Sequence, residues 1–298
     1  MRSSSTEYFM PTLREIIDGS EAVVAPAALN PLMAKLAEAA GFKALYLSGG
    51  SLGWLKCVTE ATLSLTEMIA VGVDIRAVSS LPLILDAAGG WGDPMHMHRT
   101  IALAERAGFS AIEIEDVVLP KRAHHHIGKE HVIPMELMEA KIREAVAART
   151  DPNFIIIART DSIRTHDREE ALRRGEAYRR AGADVIFIWN HSADDMRAIG
   201  ERLGAGGPLM IFAERDGTGA LKVPKDELGQ LGYRIIGVPI LPLLSMHRAL
   251  TETYAALAEG RIETVYGPEG AEGEMKRVYA TVELEKLLAI ERRTVEAP

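Results

Sequence analysis

Short apolar runs alternate along the chain with longer stretches in which apolar positions recur at helical spacing. The runs predict strands at 23–27, 44–48, 83–86, 111–115, 154–159, 185–188, 209–212 and 235–238. Ile155-Ile156-Ile157 and Val185-Ile186-Phe187 are apolar on both faces, as parallel strands covered on both sides require. The amphipathic stretches predict helices at 30–40, 65–80, 93–107, 135–149, 168–181, 193–203, 224–231 and 241–258. Pro31 and the Asp93-Pro94 pair suit helix starts, while Gly41, Gly108, Gly182 and Gly204 suit helix ends.

Three helix ends share a phrase: Ala39-Ala40-Gly41-Phe42, Arg106-Ala107-Gly108-Phe109 and Arg180-Ala181-Gly182-Ala183. Each leads into a strand within a few residues. Strands alternating regularly with helices predict a (β/α)8 TIM barrel, with a doubly wound open sheet as the alternative. The expected organisation is one domain over 1–298. Its barrel core spans about 20–260, an extension with a helix precedes it, and a helical extension over 260–298 ends in a charged helix at 275–292.

Composition narrows the function classes. The 298 residues carry 42 Asp and Glu against 34 Lys and Arg, a net charge of −8, which disfavours nucleic acid and anionic membranes as partners. Cys57 is the single cysteine, so neither an internal disulfide nor a multi-cysteine zinc site is expected, and the cytoplasm is the expected compartment. The start of the chain lacks the apolar stretch of a signal peptide. The most apolar tract, 235–246, is interrupted by Pro239 and Pro242 and falls short of the roughly 18 residues of a membrane span.

A barrel gathers its chemistry at the C-terminal ends of its strands. Those ends read Ser48-Gly49-Gly50-Ser51, Asp86, Glu113-Ile114-Glu115-Asp116, Arg159-Thr160-Asp161 and Trp189-Asn190-His191. Carboxylates from the third and fourth strands are neighbours there, and two of them with water suit a hard cation such as Mg²⁺. Arg159 and the glycine-rich turn at Ser48, Gly49 and Gly50 offer donors for a carboxylate or phosphate. Each feature also has a plainer reading: Asp86 as a cap, Gly-Gly as a tight turn, and Arg159 as the ion-pair partner of Asp161. Their placement at one end of the barrel favours the functional one.

His124, His125 and His126, with His131 nearby, resemble a metal cluster by composition. Consecutive side chains do not converge on one ion, so a flap is the better reading. The basic segment 119–128 follows the fourth strand and is expected to be mobile, able to close over an anion and deliver a proton donor. His96 and His98 are expected to face solvent or a neighbouring subunit, and Cys57 to serve packing.

The chain resembles the isocitrate lyase and phosphoenolpyruvate mutase superfamily over about 20–260. Carrying the resemblance are Leu45-Tyr46-Leu47-Ser48-Gly49, Leu83-Ile84-Leu85-Asp86-Ala87, Gly90-Trp91-Gly92, Ile114-Glu115-Asp116, Pro120-Lys121-Arg122, Ile157-Ala158-Arg159-Thr160-Asp161, and Glu176-Ala177-Tyr178 leading to Ala181-Gly182-Ala183-Asp184. It implies a (β/α)8 barrel in a homodimer or homotetramer, often with the last helix swapped between subunits. It also implies Mg²⁺ or Mn²⁺, and 2-oxo or 2-hydroxy carboxylates whose C–C or C–P bond is made or broken through a metal-bound enolate. By the same resemblance Asp86 and Glu115 hold the metal, Ser48, Gly49 and Gly50 hold the substrate carboxylate, Arg159 neutralises charge, and the flap from Lys121 to Gly128 closes the site.

Departures from the family pattern shape the functional expectation. Its Asp-Ala-Asp phrase reads Asp86-Ala87-Ala88 here, with Asp93 as a possible substitute or a cap. The lyase flap cysteine is Ala123, a mutase aspartate after the second strand lines up with Glu60, and a lyase glutamate falls on Trp189. A metal-dependent lyase is therefore expected, cleaving a C–C bond of a small 2-oxo or 2-hydroxy carboxylate by retro-aldol cleavage or decarboxylation, distinct from a standard methylisocitrate lyase. Lys121 and either His124 or His125 would do the acid–base work, and Trp189 would favour an apolar substrate tail. The alternatives are a hydrolase or mutase of a phosphonate or acyl oxo-acid, with Glu60 as nucleophile or base, and a non-catalytic carboxylate-binding barrel.

Overall fold

The computed structural model describes residues 11–190, 192–213, 221–261 and 270–296. Eight parallel strands lie in the order β1-β8-β7-β6-β5-β4-β3-β2: β1 (Val23–Pro26), β2 (Leu45–Leu47), β3 (Leu83–Asp86), β4 (Ala111–Glu115), β5 (Ile155–Thr160), β6 (Val185–Ile188), β7 (Leu209–Phe212) and β8 (Tyr233–Val238). A parallel bridge from Ala27 to Tyr46 joins the first strand to the second, and the Ala28 amide donates to Tyr46 O at 3.1 Å. That bridge closes the circle, which makes the sheet a (β/α)8 barrel and removes the open-sheet alternative. Strands β3, β4, β5 and β6 are buried along their whole length, which explains the apolar runs 83–85, 155–158 and 185–188, while the polar residues of β4 alternate with apolar ones and point into the barrel.

Helices α1 (Leu13–Asp18), α2 (Pro31–Ala39), α3 (Gly49–Leu55), α4 (Leu65–Arg76), α5 (Met97–Arg106), α6 (Met135–Ala148), α7 (Arg168–Arg180), α8 (Ala193–Leu203) and α9 (Lys225–Gln230) intervene between or precede the strands. The starts follow local chemistry. Asn30 caps α2 ahead of Pro31, and Ser64 with Glu67 forms a reciprocal capping box on α4. Helix α3 is absent from the periodicity because its sequence opens Gly49-Gly50-Ser51. The cap supplies the missing signal: the Ser48 hydroxyl accepts from the Ser51 amide at 3.2 Å. Gly72 on α4 shows how closely the layers pack, since a Cβ there would lie 2.1 Å from the Phe109 ring.

The described residues divide into two compact units, one ending at Leu241 and one beginning at Pro242. The second unit carries α10 (Leu241–Ala258), α11 (Gly270–Thr281) and α12 (Leu284–Thr294). The single helix expected at 275–292 is therefore two. The break falls at Glu283, whose φ of 55° is left-handed and ends a right-handed helix. Residues at the extreme N-terminus, His191, and the segments 214–220 and 262–269 lie outside the described residues.

Candidate active site at the barrel mouth

Strand register builds the site. Asp86 ends β3 and pairs with Glu113 on β4, while Glu115, two residues on, pairs with Arg159 on β5. Residues i and i+2 of a strand share a face, so Glu113 and Glu115 point into the barrel together. One carboxylate oxygen from each of Asp86, Glu113 and Glu115 lies within 4.8 Å of the others, and all three residues are buried. Glu113 had no assigned role in the sequence, although its alternation with Glu115 was visible there.

Cations hold this cluster from the side. Arg159 Nη1 lies 3.0 Å from Glu113 Oε1 and 2.9 Å from Glu115 Oε1, and its other edge grips Asp161 at 2.9 and 3.1 Å. Arg159 is thus both the site guanidinium and the ion-pair partner of Asp161. Lys121 Nζ donates to Glu115 Oε2 at 2.8 Å and also contacts Glu60. His125 Nε2 stands 3.2 Å from the same Glu60 oxygen, while its Nδ1 lies 2.7 Å from Arg122 O. A carbonyl only accepts, so Nδ1 carries a proton. The Tyr46 hydroxyl donates to Glu113 Oε2 at 2.9 Å.

Burial and charge pull these groups apart in acidity. Burial, with the Glu60 and Glu115 carboxylates nearby, pushes Asp86 up to about 6. Burial pushes Glu113 up to about 8 against the pull of Arg159. Burial opposes ionisation of Glu115 as well, but Arg159 and Lys121 hold it down at about 2. Burial likewise disfavours the Lys121 ammonium, yet Glu115 and Glu60 raise it well above the usual lysine range.

The residues present suit a divalent cation. Even with Glu113 protonated, Glu60, Asp86, Glu115 and Asp161 stand against Lys121 and Arg159, so the cluster carries excess negative charge. Glu115 Oε1, although near Arg159, accepts no well-directed hydrogen bond. All-oxygen donors of this kind match Mg²⁺ or Mn²⁺.

A cleft opens over the cluster. Ser48, Gly50, Glu60, Asp86, Glu115, Lys121, His125 and Arg159 line its polar part, and Trp54, Trp189, Phe212, Pro239 and Ile240 its apolar part. The Gly49 amide donates to Asp86 Oδ2 at 2.9 Å, so within the Ser48-Gly49-Gly50 turn it steadies the carboxylate. Among the flap histidines, His125 and His126 line the cleft. His124 is exposed, with its ring 6.2 Å from that of His131. His126 instead bonds Thr59 Oγ1 at 2.7 Å and lies 5.4 Å from the Trp54 ring. The adjoining Asp116 stays out of the cluster, bound by Thr160, Arg174 and Tyr178 at 2.6, 2.9 and 2.8 Å. Asp93 occupies the N-cap position of the short turn Pro94–His96. His98, on α5, is half exposed and pairs with Glu144 at 2.7 Å.

An acidic cluster and paired cations at the C-terminal mouth of a parallel barrel define an enzyme that handles small anions through a metal. The family model for phosphoenolpyruvate phosphomutase matches residues 13–258. The chain is 36% identical over 248 residues to 2,3-dimethylmalate lyase of Eubacterium barkeri, covering 82% of this chain and 84% of that one. It is 36% identical over 249 residues to 2-methylisocitrate lyase of Aeropyrum pernix, covering 83% and 78%. The solved structure of a phosphonopyruvate hydrolase complex with oxalate and Mg²⁺ superposes with a TM-score of 0.82 at 30% identity, covering 95% of this chain and 98% of that one.

The chain belongs to the phosphoenolpyruvate phosphomutase family. It is a carbon–carbon lyase of the isocitrate lyase and phosphoenolpyruvate mutase type.

Proposed function

We propose that the protein cleaves the C2–C3 bond of a 2-hydroxy dicarboxylate that carries an apolar branch, by a retro-aldol reaction dependent on Mg²⁺ or Mn²⁺. The observation that carries this reading is the juxtaposition of the Asp86–Glu113–Glu115 cluster with Arg159 and Lys121 beneath a cleft whose wall includes Trp54, Trp189 and Phe212. Asp86 and Glu115 would hold the cation, with Glu113 as third carboxylate in place of the one missing at Ala88. A divalent ion there supplies Lewis acidity to the oxygen on which charge develops.

The remaining work falls to this chain's own groups. Ser48 and Gly50 orient the substrate's C1 carboxylate, and Arg159 and Lys121 balance its charge. Glu60, held between Lys121 and His125, accepts the proton released from the 2-hydroxyl. His125, which faces the cleft, returns a proton to the carbon that departs. Trp189 and Phe212 exclude water and give an apolar branch a surface to cover. The products are a 2-oxo acid and a saturated carboxylic acid.

The 2,3-dimethylmalate lyase relative fits this substrate class. The test is a panel of 2-oxo and 2-hydroxy di- and tricarboxylates, incubated with Mg²⁺ and Mn²⁺ and read by mass spectrometry. 2-Hydroxy diacids with an apolar branch should be consumed and tricarboxylates left.

A second reading, hydrolysis or rearrangement of a phosphonate or acyl oxo-acid, is favoured by Glu60 lying at the cleft between two proton carriers. Glu60→Gln would then abolish release of phosphate or acid from such substrates. The compartment expected from Cys57 is the cytoplasm, and the assembly expected is a homodimer or homotetramer.

A further inference from the structure

Arg164 lies just outside the reacting cluster and touches three parts of the cleft's outer wall. It ends the turn Ser162–Arg164, and its amide donates to Asp161 O at 3.0 Å. Its Cζ stands 4.0 Å from the centroid of the Trp189 ring, with Arg159 also 5.2 Å from that ring. Nη1 donates to Glu130 Oε1 at 2.8 Å. Nη2 faces Gly128, where an added Cβ would come within 3.1 Å and where φ is +81°. Glu130 and Trp189 both line the cleft, and the Glu130 side chain is 3% exposed.

We propose that Arg164 is a positioning residue that ties seating of the flap to the Trp189 wall and so sets selectivity for the substrate's branch. The proposal rests on the reading of the site as a branched-acid lyase. A guanidinium can stack its plane on an indole while its edge binds a carboxylate, and Arg164 does both at once. Glu130 lies two residues past the flap's end at Gly128, so with the flap seated Glu130 fixes the guanidinium and the guanidinium fixes the ring. With the flap lifted, Glu130 returns to water and the stack loses its anchor. A branched acid leaning on Trp189 would therefore favour the seated flap, whereas oxalate fills the polar floor and gains nothing from the wall.

The test compares wild type with Arg164→Met and Arg164→Lys in the presence of Mg²⁺. Calorimetry gives the affinities of oxalate, pyruvate and 3-methyl-2-oxobutanoate, and limited proteolysis without ligand gives the cleavage rate of the segment 121–130. Each buried methylene is worth about fourfold in affinity, so wild type should prefer the branched acid to pyruvate by roughly 16-fold. Arg164→Met should reduce that preference to below about fourfold, leave oxalate within twofold, and expose the flap to cleavage. Arg164→Lys keeps a cation for Glu130 but lacks the plane, so it should restore flap protection without restoring the preference.

Unchanged preference in Arg164→Met, or equal losses for oxalate and the branched acid, would overturn the selectivity role. Cleavage of the flap at the wild-type rate in Arg164→Met would overturn the tie to Glu130. If wild type binds none of the three acids, the lyase reading fails, while the proteolysis still decides whether Arg164 holds the flap.

Discussion

In the proposed reaction, Glu113 and His125 carry most of the chemistry that is particular to this chain. A buried carboxyl pushed up to about 8 keeps its proton in the folded protein after the unfolded chain has lost it. The folded state then binds more protons between about pH 4.5 and pH 8, so this contribution is complete below that window and is lost as pH rises through it. In chelator-treated protein, the stability of wild type relative to Glu113→Gln should fall across the window by at least about 1.4 kcal/mol, measured by urea unfolding at several pH values. A flat difference would mean that Glu113 is ionised throughout. His125→Gln should lower kcat by about 10²–10⁴-fold, whereas His124→Gln, altering an exposed ring, should leave kcat within about threefold of wild type. Ala123 stands where the resemblance places a cysteine proton donor, and it is exposed here. Release of glyoxylate from isocitrate, or of pyruvate from methylisocitrate, should accordingly run at least about 10²-fold below C–C cleavage of the preferred substrate.

At the level of elements, strands and barrel-forming helices were legible because burial on two faces leaves continuous apolar runs and caps leave Ser, Asn and Asp at fixed offsets. Asp86, Glu115 and Arg159 were legible for a related reason, since each lies at or next to the C-terminal end of a strand and a barrel brings such ends together. Three features were hidden. The Gly-Gly opening of α3 masks a helix held by Ser48. Glu113 reads as one more polar position until β3 and β4 are set in register. The choice between His124 and His125 depends on the turn Ala123–Ile127, which periodicity cannot phase. Ser48→Ala should remove the α3 cap, costing about 0.5–2 kcal/mol of stability by thermal unfolding. Because Gly49 at the start of α3 steadies Asp86, the same substitution should also weaken Mn²⁺ binding read by electron paramagnetic resonance.

The whole molecule joins an acidic catalytic barrel to a helical unit whose surface is unusual for an isolated one. Helices α10 to α12 expose Leu244, Tyr254, Leu257, Met275 and Leu287, with Tyr254 at 65% and Leu287 at 52%. Apolar faces of this extent usually meet a partner, and a second copy of the chain is the partner that the family resemblance implies. Light scattering at micromolar concentration should give a dimer or tetramer, and a monomer would contradict that expectation. The central claim, metal-dependent cleavage at the Asp86–Glu113–Glu115 cluster, is tested most directly in deuterium oxide. A 2-hydroxy diacid branched at C2 and C3 is incubated with Mg²⁺ and either wild type or Asp86→Asn, and the products are followed by mass spectrometry. Wild type should yield a 2-oxo acid and a saturated acid carrying one new deuterium at the carbon that was C3, with Asp86→Asn yielding neither. Equal cleavage by both proteins, or none by wild type with any divalent cation, would contradict the account.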